Sequence, residues 1–229
     1  MPHFAPRLLH FLRSFPLPAA LAAGVEAFSP YRQAAIYELL TQFAHRYYAS
    51  EQPRVAVLGI NPSRLGNGRT GIAFTDPTAL TEHCGITHNL PRQRPEPSSE
   101  FIYKVISELG GPAEFYQHFY LGSIYPLVLM QHGKNYNYYD SPVITNALWA
   151  DMGFSLSRLV REVGVRTDMV ICLGQRNGAF LHRLNNELKL FDNMLVLDHP
   201  RYLMQYHRRY LTENVARYVA TLGGVARTL

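Results

Sequence analysis

The stretch that most constrains this chain is Val55-Ala56-Val57-Leu58-Gly59-Ile60, followed at once by Asn61-Pro62. An uncharged, β-branched run of this length reads as a strand buried on both faces, as in parallel sheets covered by helices. Pro62 ends the pairing because it has no N–H to give the ladder. In open α/β sheets ligands sit just beyond the carboxyl ends of strands, and Asn61 stands there.

The remaining sequence supplies partners for that strand. Phe119 to Tyr125, Asp168 to Leu173 and Met194 to Leu197 are further apolar runs, each stopped by Pro126, Gly174 and Asp198-His199-Pro200. Helical spacing runs from Tyr31 to Tyr48, from Ser98 to Leu109, from Ser141 to about Val163, from about Asn177 to Leu188, and from Tyr206 to Thr221. Strand and helix alternating in this way predict an α/β fold, a three-layer α/β/α arrangement with a four-stranded parallel sheet. Two stretches read as loops, Ser63 to about Ser99 and the Tyr- and Asn-rich His132 to Asp140. Residues 1–30, with Pro2, Pro6, Pro16 and Pro18, read as an N-terminal arm or one short helix. With no linker or repeat, one domain over residues 1–229 is expected.

Composition narrows the function only slightly. The net charge of +5 and the pI near 9.2 lean towards an anionic partner such as nucleic acid. The two cysteines, Cys84 and Cys172, lack a companion at CxxC spacing, so a Cys-ligated metal site is not expected. No segment has the roughly 20 apolar residues that span a bilayer.

Gly66-x-Gly68-x-x-Gly71 has the spacing of a dinucleotide fingerprint, but it begins too far past Ile60 and is followed by Phe74-Thr75-Asp76-Pro77 rather than a helix interior. Its glycines fit better as a loop wrapped closely round a ligand. His199 ends the last strand and therefore shares the sheet rim with Asn61. Beyond it, Arg201, Arg208 and Arg209 alternate with Tyr202, Leu203, Met204 and Tyr206, phosphate-pairing groups among apolar wedges. An Asn, a His, an aromatic at Phe74 and a basic wedge are what excision of a flipped base requires. Stacking and edge hydrogen bonds hold the base, and a donor stabilises the negative charge it acquires on leaving. Asn can orient a water but is no strong base, so such a mechanism relies on the leaving group.

Gly59-Ile60-Asn61-Pro62-Ser63-Arg64-Leu65-Gly66-Asn67-Gly68-Arg69-Thr70-Gly71-Ile72-Ala73-Phe74 and the later His199-Pro200 resemble the two motifs of the uracil-DNA glycosylase superfamily. The likeness is to its single-strand-selective monofunctional (SMUG-type) branch, and in particular to the bacterial SMUG2-like sister group. The resemblance implies that Asn61 orients the hydrolytic water, that Phe74 stacks on the flipped base, and that His199 hydrogen-bonds the base carbonyl. It places Gly59, Ile60, Ser63 and Ser123 around the base, and Pro200, Arg201, Tyr202, Leu203, Met204 and Gln205 at the DNA. It further implies no metal or organic cofactor, DNA (single- or double-stranded) as partner, a cytoplasmic, nucleoid-associated monomer, and base release without strand cutting.

Three positions depart from the SMUG-type pattern. Ser63 replaces a Gly, which still leaves room beside the 5-position of a pyrimidine. Ser123 stands where the family has a uracil-reading Asn, and one hydroxyl reads less than an amide, which implies relaxed specificity towards hypoxanthine or xanthine. The wedge lacks the family's Ser-Pro-Arg. With Ser123 in that place, a catalytically inactive DNA-binding member is the alternative expectation, and a nucleotide-cofactor enzyme built on the Gly-rich loop is a second.

Overall fold

A computed structural model describes residues 3–91 and 94–228. The chain opens on α1 (Phe4–Ser14), β1 (Val25–Phe28) and α2 (Ala34–Tyr47). After β2 (Val55–Gly59) come α3 (Asn67–Thr70), α4 (Pro77–Glu82), α5 (Pro97–Glu108) and α6 (Pro112–His118). β3 (Phe119–Ser123) leads into the hairpin of β4 (Val128–Gln131) and β5 (Lys134–Tyr136). Alternation then resumes with α7 (Pro142–Arg158), β6 (Met169–Leu173), α8 (Gln175–Leu188), β7 (Asn193–Leu197), α9 (Pro200–Tyr206) and α10 (Leu211–Arg227).

The expected parallel sheet is present, in the order β3-β2-β6-β7. All five residues of β2 are buried, which is why that run carries no polar alternation. Its neighbours are in register so that Gly59 faces Ser123 and Leu58 faces Cys172. The carboxyl ends of the strands therefore form one rim.

The N-terminus takes the helical of its two expected forms, and three later segments differ from the sequence expectation. The N-terminus is a packed helix: Phe4, Leu8, Phe11 and, just past its end, Phe15 are at most 2% exposed and join the core. Pro6 is tolerated there because the N–H groups of the first turn have no partner inside a helix. The long segment after Ser63 contains α3 and α4, the latter started by Asp76, whose side chain accepts from the Ala79 N–H. The segment from Pro200, expected as a wedge, is the helix α9. Finally, His132-Gly133 is a two-residue turn with φ of 50° and 73°. That geometry matches a type I′ turn and folds Lys134–Tyr136 back on β4. With β1 it completes a small antiparallel sheet, β1-β4-β5, that sequence reasoning missed.

Candidate active site

At the carboxyl ends of β2, β3 and β7 lies a cleft of about 470 Å³. Gly59, Ile60, Asn61, Ser63, Phe74, Ser123, His199, Arg201, Tyr202 and Gln205 all line it. Residues scattered from position 59 to 205 thus meet in one place, as the sheet rim required.

The Asn61 amide is clasped by backbone. Its Nδ2 donates to the Tyr136 carbonyl at 3.0 Å, and its Oδ1 accepts from the Tyr138 N–H at 3.3 Å. A carbonyl on one side and an N–H on the other fix which end of the amide is which. Oδ1 keeps a second lone pair that can hold one hydrogen of a water. The clasp comes from the end of β5 and the loop beyond it, the very segment read from sequence as a plain loop.

Phe74 adopts φ 54°, an uncommon conformation for a residue with a side chain. The turn before it is pinned by buried threonines. The Thr70 hydroxyl donates to the Thr75 carbonyl at 2.6 Å, and Thr75 Oγ1 donates to the Ala73 carbonyl at 3.1 Å. The ring is thereby pressed onto β2, where a Cβ on Gly59 would lie 2.8 Å from Phe74 Cζ. Only glycine permits that approach. The Phe74 and His199 rings lie 5.8 Å apart at 48° to one another.

His199 caps α9, its Nδ1 accepting from the Arg201 N–H at 3.2 Å. An acceptor at Nδ1 leaves the proton of the neutral ring on Nε2. Burial, with Arg201 adding to it, lowers the pKa from the ordinary 6.5 to about 4, so the neutral form is the one present near pH 7. The preceding residue is held firmly. Asp198 Oδ1 accepts from Gln175 at 3.0 Å and Oδ2 from Arg217 at 2.7 Å, while the Tyr218 hydroxyl donates to the Asp198 carbonyl.

Ser63 and Glu96 form a pair that the sequence did not announce. The Ser63 hydroxyl donates to Glu96 Oε1 at 3.2 Å and accepts from the Gly66 N–H at 3.0 Å. Glu96 also lines the cleft, where burial raises its carboxyl pKa. Ser123 stands beside Gly59 at the end of β3 and lines the same cleft.

The wedge needs correcting. Pro200, Leu203 and Met204 are buried against the core, with Leu203 3% and Met204 4% exposed. In a helix three or four residues separate side chains on one face, so α9 sends Leu203 and Met204 inward and leaves Arg201, Tyr202, Gln205 and Tyr206 outward. Tyr206, one of the expected wedge residues, is 65% exposed and joins the cleft mouth. Among the described residues, no helix is long and apolar enough to cross a membrane.

One parallel-sheet rim thus carries a clasped Asn, a neutral His and an aromatic ring. The profile of the Uracil DNA glycosylase superfamily matches residues 45–223, so the chain belongs to that superfamily and is a DNA glycosylase. The crystal structure of wild-type SMUG2 from Pedobacter heparinus superposes with a TM-score of 0.94 at 32% identity, covering 99% of this chain and 100% of that one. The chain is a member of the SMUG2-like branch. No match was found among curated proteins.

Proposed function

We propose that this glycosylase hydrolyses the N-glycosidic bond of a deaminated base, uracil and also hypoxanthine or xanthine, in DNA, leaving an uncut abasic site. The observation that carries the reading is the pairing of a clasped Asn61 amide with a neutral His199 across one cleft.

The chemistry follows from those two groups. As the glycosidic bond breaks, negative charge gathers on the base, and the His199 Nε2–H donates to the base carbonyl as that charge develops. A neutral donor does this without protonating the base. Asn61 Oδ1 accepts from the water and directs its oxygen at the sugar carbon. An amide cannot take the proton as a strong base does, so bond breaking leads and water addition follows. Phe74 supplies the stacking face that replaces the neighbouring bases.

Ser63 and Ser123 support breadth of substrate. Neither side chain is large enough to fill the base pocket, and a rotating hydroxyl at Ser123 can pair with either a donor or an acceptor. The outward face of α9, with Arg201, Tyr202, Gln205 and Tyr206, suits a phosphate backbone and exposed bases.

The test is base release, read by alkali cleavage, from single- and double-stranded oligonucleotides carrying uracil, hypoxanthine or xanthine. Release by the parent protein, with losses of about 100-fold or more in Asn61→Ala and His199→Ala, is expected. Bound DNA with no release from any substrate would replace this reading with that of an inactive binding member.

A further inference from the structure

The clasp on Asn61 is itself anchored, and the anchor lies outside the cleft. Tyr138, whose N–H bonds to Asn61 Oδ1, has a side chain that is 0% exposed. Its hydroxyl donates to Asn177 Oδ1 near the start of α8, and its carbonyl accepts from Thr145 Oγ1 at 3.0 Å. Phe180 meets the Tyr138 ring edge-on, with centroids 5.6 Å apart.

Asn177, 1% exposed, spends its donors on the strands. Nδ2 reaches the Leu173 carbonyl at 3.2 Å and the Leu58 carbonyl at 3.4 Å. Leu58 belongs to β2, three residues before Asn61. One buried amide therefore holds both the strand that carries Asn61 and the loop residue that aims it.

We propose that Tyr138 and Asn177 are positioning residues for hydrolysis, fixing the Asn61 amide by setting the Tyr138 peptide relative to β2. This rests on the reading in which Asn61 orients the water. Both residues are buried and neither lines the cleft, so their effect should fall on the chemical step and leave binding alone. Without the Tyr138 hydroxyl, Asn177 Oδ1 is left buried and unpaired, the loop peptide is held less tightly relative to β2, and the Asn61 Oδ1 lone pair loses part of its direction. Misaligning one reacting group by the loss of a single hydrogen bond is worth about tenfold in rate.

The experiment is a cycle of Tyr138→Phe, Asn61→Ala and the double variant, read by single-turnover base release, by affinity for substrate-bearing DNA and by thermal unfolding. Expected is a rate about tenfold lower in Tyr138→Phe at unchanged affinity, and no further loss when it is added to Asn61→Ala. The melting temperature should drop equally in both backgrounds, which separates positioning from stability. A rate loss of the same size in both backgrounds would overturn the proposal. So would an unimpaired Tyr138→Phe beside a slow Asn61→Ala. If Asn61→Ala itself releases base at the parent rate, the proposal and the role given to Asn61 fall together.

Discussion

His199 should stay neutral far below the pH at which a histidine ordinarily charges. Its environment lowers the pKa from 6.5 to about 4, chiefly by burial. At pH 5.5 an ordinary histidine is about 90% charged, whereas one with a pKa of about 4 is about 3% charged. In the folded protein Nδ1 faces the Arg201 N–H, so charging the ring sets donor against donor. The shift corresponds to at most about 3 kcal/mol, a ceiling because the side chain keeps some contact with solvent. The sign follows from proton binding. Between pH 6.5 and 4 the unfolded chain binds the proton and the folded chain does not. The stabilisation is complete above pH 6.5 and is lost as pH falls towards 4. Long-range nitrogen-15 NMR of the imidazole, assigned with His199→Gln, reads both pKa and tautomer. Single-turnover rates from pH 8 to 5 should show no step near 6.5. A midpoint between 6 and 7, or a proton on Nδ1, would refute the reasoning.

Other substitutions probe the cleft. Gly59→Ala sets a methyl 2.8 Å from Phe74 Cζ and should slow base release at least about tenfold by displacing the ring, measured at saturating DNA. Leu203→Ala should cost about 2–4 kcal/mol in denaturant unfolding, whereas Tyr206→Ala should stay within about 0.5 kcal/mol and weaken DNA binding in fluorescence anisotropy. Ser123→Asn offers an amide at the cleft wall and should raise the ratio of uracil to hypoxanthine release in matched oligonucleotides.

The layered fold was legible because each central strand is a short apolar run with a hard stop, Pro62, Pro126 or Gly174, and because β2 shows no alternation at all. The same stops placed Asn61 and His199 on one rim. What escaped were features settled by tertiary contact. β5 is three largely polar residues, Lys134-Asn135-Tyr136, whose strand character comes from its partner β4 and from a His-Gly turn outside the usual Asn-Gly signature. The N-terminal prolines left an arm and a short helix equally open, and Pro6 is harmless at its early position in α1. The inward turn of Leu203 and Met204 became visible only once α9 was helical, since apolar residues beside arginines fit a wedge and a core face equally well. Glu96 lies more than 30 positions from Ser63, and nothing in its neighbourhood marked it for the cleft.

The small antiparallel sheet has a consequence for assembly. β1 pairs with β4 across about a hundred residues, and β5, which ends in the carbonyl that receives Asn61, pairs among the described residues only with β4. Closing so long a stretch of chain is entropically costlier than joining neighbouring segments. A molecule whose parallel sheet has formed while this hairpin is still undocked would hold Asn61, Phe74 and His199 on the rim, yet its amide would point nowhere in particular. Nascent or partly unfolded copies would then lack the fixed Asn61 amide on which the proposed hydrolysis depends.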